Sequence, residues 1–383
     1  MITLRPGSQT WRLLHLLAAT LEYPARSLHL LGSERYYEAL IHRLETPQEF
    51  RTSDGTELGR FKVFNVSGRH DKRTIRLNKA ALPLLSVLHP DVLDYYMTAS
   101  GGHRFSGNSD HVLRNHRVAE SLALCMGSGA EVLPYQLPPL QKSVIQHIVP
   151  TSPSFYIARE VKRLEKSELS KTIFTRLTGA LFSYGTCFAV YNTRDAVMKW
   201  SGMGEFKTAS HLTEVARMNA GVERVERALL IGQDNNVALT TLLSSATTRR
   251  MDLRFDRIYP HIHFIPMDGN GIRQLRLLLQ PDWQEQLLSA LFPPELRIHT
   301  PGSIECDAIR GETLILSHLD GDIARLLRLQ QALDHISAPV ELLCFPWQTL
   351  FLHEYLGERV QLRELEIGIL EDYLGLPVKG AVP

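Results

Sequence analysis

Two short stretches near the start of the chain concentrate side chains that bind phosphates and base edges. "SERYYEALIHRL" (33–44) offers Ser33, Arg35, His42 and Arg43; "SGRHDKR" (67–73) offers Arg69, His70, Lys72 and Arg73. Arginine can bond a guanine edge with two parallel hydrogen bonds, while serine and histidine reach bases or phosphates. About five phosphate contacts would give double-stranded DNA binding a log–log salt slope near −4 to −5. Glu34 and Glu38 in the first stretch work against a polyanion.

Other constellations are weaker. His261 and His263 in "HIH" would share a strand face, but no third ligand accompanies them, so a partly buried pair is expected rather than a metal site. Asp320-Gly321-Asp322 precedes a helical stretch and reads as a turn and N-cap. The chain has neither a G-x-x-x-x-G-K-[ST] loop nor a G-x-S-x-G elbow, which removes P-loop ATPases and α/β-hydrolases. Tyr36-Tyr37 and Tyr95-Tyr96 lack the histidine triad that a nucleophilic tyrosine of a relaxase needs, and packing is expected for them. Cys125, Cys187, Cys306 and Cys344 are far apart and form no C-x-x-C pair, so no zinc ribbon or disulfide framework is expected.

The elements that must hold the basic stretches follow from periodicity and punctuation. "TWRLLHLLAATL" (10–21) has helical spacing, "ARSLHLLG" is a short helix ended by Gly32, and Ser33 caps a third helix that stops near Pro47. On that helix Tyr37, Leu40, Ile41 and Leu44 form the apolar stripe. Strands are expected over 60–66 and 73–77, joined by the basic turn, with "KAALPLLSVL" resuming a helix. Further on, "TASGGHRFSGNSD" (98–110) is the best linker, a helix spans roughly 110–126, and "LPYQLPPLQ" is irregular. "SFYIAREVKRLEK" is expected as a strand with a charged turn after it, and "RLTGALFSYGTCFAVYN" as hairpin. Helices and strands then alternate to the end, with a second boundary in "FPPELRIHTPG" (292–302) and no visible internal repeat.

At 383 residues, with 44% apolar and 22% charged residues, the composition is globular and calls for two or three domains. Charge is uneven: residues 1–90 carry 13 Lys/Arg against 8 Asp/Glu, a net +5, and residues 303–383 carry 6 against 13, a net −7. A basic end suits a polyanion and an acidic end a protein. No run of apolar residues is long enough for a membrane span, and "MITLRPGSQTW" lacks the sections of a signal peptide, so a cytoplasmic location is expected.

The order helix, helix, helix, strand, basic turn, strand, helix over residues 8–90 resembles a winged helix-turn-helix, whose third helix enters the major groove. A winged helix followed by α/β sequence looks like the replication-relaxation family of plasmids and conjugative elements, which pairs it with a domain related to PD-(D/E)xK nucleases. That resemblance implies a metal-binding Asp near Thr178-Gly179 and an acidic-x-Lys near Val190–Asn192, and neither is there. These residues are poor Mg²⁺ ligands, so a scaffold without catalysis is expected. In a shifted register, Glu160 and Lys162 of Glu160-Val161-Lys162, which strand alternation would put on one face, would form the active-site set with Glu120 from the preceding helix.

The expectation is therefore a mixed α/β protein: a winged helix-turn-helix (1–97), a nuclease-like α/β domain (110–291) and a further α/β portion (303–377). It would bind double-stranded DNA as an accessory factor of a mobile element, recruit a relaxase or replication protein, act without metal or other cofactor, and dimerise to read two half-sites. The competing classes are a transcriptional regulator, a metal-dependent nuclease using Glu120, Glu160 and Lys162, and a protein-interaction scaffold.

Overall fold

The computed structural model describes residues 1–100, 107–137, 152–164, 176–198, 200, 203–246, 254–297 and 305–376. Residues 101–106 of the expected linker at 98–110, the end of the Pro-rich connection, the charged turn after 164 and residues 298–302 lie outside the described residues. The protein is mixed α/β and divides into two compact units, Met1–Pro139 with Ser154–Glu160, and Leu140–Pro153 with Val161–Pro383. No helix among the described residues is long and apolar enough to cross a membrane.

The first unit runs β1 (Ile2–Leu4), α1 (Gln9–Thr20), β2 (Glu22–Pro24), a 3-10 segment Ala25–Leu31, α2 (Glu34–Leu44), β3 (Gln48–Thr52), β4 (Glu57–Phe61), β5 (Phe64–Ser67), β6 (Thr74–Leu77), α3 (Leu82–Leu88), α4 (Val92–Ser100), α5 (Ser109–Ser128), β7 (Ser154–Ile157) and the start of α6 (Ala158–Leu164). Leu13, Leu14, Leu16 and Leu17 are all fully buried, so α1 is enclosed on every side; it packs against α3, α4 and α5. Two three-stranded sheets form, in the orders β1-β3-β4 and β2-β6-β5.

The strand expected over 60–66 is interrupted at Lys62-Val63: β4 pairs with β3, and β5 pairs with β6. Strands β2 and β3 were not expected. β2 places Glu22, a fully buried carboxylate, opposite Arg76 on β6. Arg76 Nη2 lies 2.8 Å from Glu22 Oε2 and His116 Nε2 of α5 lies 3.0 Å from Oε1. A buried charge is tolerated only when its partners are this close, so the pair ties the second sheet to α5.

In the second unit β8 (Leu177–Ser183) and β9 (Thr186–Arg194) form an antiparallel hairpin, followed by α7 (Met203–Ala220), β10 (Arg227–Gly232), α8 (Asn235–Ala246), α9 (Phe255–Ile258), β11 (His261–Pro266), α10 (Gly269–Leu278) and α11 (Trp283–Leu291). β9, β10 and β11 are mutually parallel. The chain then repeats the scheme: hairpin β12 (Ala308–Arg310) and β13 (Thr313–Ser317), α12 (Ile323–Leu333), β14 (Val340–Cys344), α13 (Thr349–Leu356), β15 (Val360–Glu364) and α14 (Ile367–Tyr373), with β13, β14 and β15 parallel. The sequence shows no repeat, yet the topology is duplicated. β10, β11 and β14 are nearly continuous buried apolar runs, as strands covered on both faces must be, whereas β15 at the edge of the second set is largely exposed.

The two halves of this unit are joined at "HIH" and "DGD". Asp322 caps α12, its Oδ1 accepting from Ala324 N (3.0 Å) and Arg325 N (3.2 Å), and the same oxygen accepts from Ile262 N of β11 (3.0 Å). His261 Nδ1 donates to Asp322 Oδ2 at 2.8 Å. Gly321 O accepts from Phe264 N at 2.8 Å; Gly321 has φ +71°, and a Cβ there would stand 2.3 Å from Gln274 Nε2 and 2.6 Å from Phe264 O. No larger residue fits. Arg227 Nη1 lies 3.3 Å from His263 Nε2, and His263 Nδ1 lies 3.1 Å from the Asp320 carbonyl oxygen. A guanidinium only donates, so Nε2 accepts and Nδ1 carries the proton: His263 is neutral. "DGD" is thus turn and N-cap, as the sequence predicts. "HIH" is a histidine pair of unequal burial, with His263 fully enclosed and His261 about a quarter exposed.

This junction sets a pH dependence. Burial pushes both His263 and His318 down to about 3. Below the ordinary histidine pKa the unfolded chain takes up two protons that the folded chain refuses, so stability falls with pH. Asp320 acts in the opposite sense, because burial and then Asp322 push its pKa up and the folded chain binds that proton first. For these three groups the net difference is one proton, a loss of about 1.4 kcal/mol per pH unit between roughly pH 6 and 4 in the second unit, and His15 of the first unit, lowered by burial to about 4, acts in the same direction there. Urea midpoints measured across that range check it; a flat profile would contradict the assignment.

Candidate nucleic-acid interface

The third helix begins where expected: Ser33 Oγ accepts from Tyr36 N at 3.4 Å, and α2 follows. Tyr37, Ile41 and Leu44 are buried, while Leu40, expected in the same stripe, is only half-buried. At 100° per residue the outward face is centred on Ala39, with Arg35 and His42 on one side of it and Tyr36 and Arg43 on the other. All five are exposed. Glu34 and Glu38 stand away from that centre, and Glu38 points to the basic turn: Arg73 Nη1 lies 3.4 Å from its Oε1. The residues that most oppose a polyanion are therefore displaced from the approaching face.

The basic turn is ordered by its own backbone. A 3-10 turn spans His70–Lys72, with Lys72 N donating to Arg69 O (3.1 Å) and Arg73 N to His70 O (3.0 Å). Gly68 has φ +85°, and a Cβ on it would meet Lys72 O at 2.2 Å, so only glycine closes this turn. Arg69, His70 and Lys72 are exposed and Arg73 is 40% exposed. Arg35, Arg43, Arg69 and Lys72 make no ion pair among the described residues.

Helix and turn are fixed to one another. Val63 N donates to Leu44 O at 2.9 Å, Val66 N to Glu45 Oε1 at 3.3 Å, and Ala25 N to Arg73 O at 2.9 Å. The cations on α2 and on the turn are thus held by a common backbone frame, which lowers the ordering cost of binding an extended anion.

The nuclease candidates are differently placed. Residues 154–164, expected as one strand, are strand only over Ser154–Ile157 and helix over Ala158–Leu164. Ala158, Arg159, Glu160, Lys162, Arg163 and Leu164 are strong helix formers, and that local preference prevails over alternation. Glu160 and Lys162 then lie about 200° apart around α6 rather than on one face. Glu160 Oε1 accepts from Tyr95 OH (2.8 Å) and pairs with Arg159 Nε (3.3 Å). Glu120 is fully buried on α5 and accepts from Ser27 Oγ at 2.6 Å, fastening the 3-10 segment to that helix. On the β8–β9 hairpin, Thr178 Oγ1 donates to Val190 O (2.9 Å) and Asn192 Oδ1 accepts from Arg194 N (3.1 Å). Among the described residues no group of three His, Cys, Asp or Glu is placed to hold a metal ion.

Sequence reasoning missed Tyr36 as a surface residue, assigning both tyrosines of the pair to packing, whereas Tyr36 is 50% exposed and only Tyr37 is buried. The apolar period alone separates them, since only position 37 shares the stripe of Ile41 and Leu44. It also missed Glu22–Arg76, the pair that joins β2 to β6 in the sheet that carries the basic turn. Comparison with known proteins returns no matching family model, no matching curated protein and no matching solved structure.

Proposed function

We propose that the first unit is a winged helix-turn-helix that binds double-stranded DNA, with α2 in the major groove and the 68–73 turn on the phosphates. The observation that carries this is the rigid frame presenting Arg35, His42 and Arg43 from α2 beside Arg69, His70, Lys72 and Arg73 from the turn, with Ser33 at the helix start. A serine that accepts at a cap keeps a hydroxyl hydrogen for a phosphate. The succession α1, β2, 3-10 segment, α2 and the sheet order β2-β6-β5 around the basic turn support the same assignment, with β3 and β4 inserted between α2 and β5. Arg35→Ala or Arg43→Ala lowers affinity for a selected duplex by about tenfold or more and relaxes sequence preference, if either reads a guanine. Fluorescence anisotropy measures both effects; unchanged affinity in both variants contradicts the assignment of α2.

The nuclease-like domain serving as scaffold rests on the resemblance of the layout; the chain order α5, β7, α6, β8, β9, α7, β10 departs from the helix, three strands, helix, strand order of that fold by the helix α6. The wider role, an accessory factor of a plasmid or conjugative element that recruits a relaxase or replication protein, rests on the resemblance of the layout. A relaxase or coupling ATPase encoded beside this chain would support it. Mg²⁺-dependent DNA cleavage that vanishes in Glu160→Ala would overturn the scaffold.

A further inference from the structure

Resting on the DNA-binding proposal, we infer that Tyr36 and Ala39 form an apolar reading point on α2 that contacts the 5-methyl group of thymine. The outward face of this helix is otherwise polar and cationic. Tyr36 stands on it 50% exposed, and its ring meets the buried Tyr37 ring edge-on, centroids 6.2 Å apart at 84°. The exposed ring is therefore oriented by the core rather than hanging loose. Ala39, also exposed, occupies the centre of the face with a single methyl, which lets the helix backbone approach closely. Arg35 and Arg43 flank this apolar spot on either side.

A partner must accordingly be anionic at its rim and apolar at one point in between. The major groove at an A·T pair has that pattern, since phosphates border the groove and the thymine methyl is its one apolar projection. A tyrosine ring has few torsions to freeze and brings large contact area at low entropic cost. The wing cations favour a duplex over a flat membrane surface, because they lie on a second element set to reach a second backbone contact.

The test uses the full chain and two duplexes of about three helical turns, alternating dA·dT and the same sequence with deoxyuridine in place of thymidine. Anisotropy titrations compare wild type, Tyr36→Phe and Tyr36→Ala, with circular dichroism verifying the fold of each. Wild type and Tyr36→Phe are expected to prefer the thymidine duplex about fourfold, the transfer value of one methyl group. Tyr36→Ala, which keeps only the Ala39 methyl, is expected to lose most of that preference. Equal binding of the two duplexes by wild type, or the full preference retained in Tyr36→Ala, overturns the inference while leaving DNA binding in place. No binding to either duplex at low salt overturns the DNA-binding proposal itself. Binding only to phosphatidylserine vesicles would assign this face to an anionic membrane.

Discussion

Asp322→Ala is expected to destabilise the second unit by about 3–5 kcal/mol, the range for removing one partner from a buried, hydrogen-bonded charge network. Asp322 is 1% exposed and satisfies four donors at once: the amides of Ile262, Ala324 and Arg325, and the His261 ring. Two of those amides belong to the first turn of α12 and have no partner within the helix. The third lies on β11, so one side chain holds the helix of the second half to the strand of the first. Removing it leaves buried donors without acceptors. Relief of Asp320 from its charged neighbour returns a small part of the loss. Asp322→Asn keeps a neutral acceptor for the cap and is expected to cost less, about 1–2 kcal/mol. Urea unfolding followed by tryptophan fluorescence measures both, because Trp200, Trp283 and Trp347 all lie in this unit and Trp283 packs against His263 at 5.7 Å. A shift of less than about 1 kcal/mol in Asp322→Ala would remove the junction from the account.

The second large effect concerns the wing. The triple variant Arg69→Ala, Lys72→Ala, Arg73→Ala is expected to lose about 100-fold in duplex affinity near 0.1 M salt, since three phosphate contacts and their released counterions disappear together. The loss should be nearly uniform across duplex sequences, because phosphate contacts position the protein and carry no sequence information. Arg73 contributes least of the three, being already paired with Glu38. The turn keeps its fold in this variant: Gly68, the 3-10 hydrogen bonds and the β5–β6 ladder are backbone features. Unaltered affinity would take the wing out of the DNA-binding face.

What the sequence made legible follows from range. Helices with a strong apolar period and a capping residue, such as α1, α2 and α12, were visible because each is specified within about a dozen residues. The cap at Ser33 and the cap at Asp322 are equally local. Strand β2 was not legible: Glu22-Tyr23-Pro24 contains two residues disfavoured in strands, and it exists because Arg76 and His116 satisfy its buried carboxylate from 54 and 94 positions away. The "HIH"–"DGD" junction was read as two unrelated motifs for the same reason, since His261 and Asp322 are 61 positions apart. The strand assigned to Glu160 and Lys162 failed where alternation and helix preference compete over a short segment. The duplicated topology of the second unit left no trace in residue identity: strand pairing is made by backbone hydrogen bonds, and corresponding strands differ even in burial, as β11 and β15 do.

The central claim, that the first unit binds double-stranded DNA through α2 and the wing, is tested most directly by the salt dependence of duplex binding by the wild-type chain. Affinity measured from about 50 to 200 mM salt should fall along a log–log slope of about −4 to −5, and the wing triple variant should flatten it by about three. A slope near zero, or no binding at the lowest salt, would contradict it.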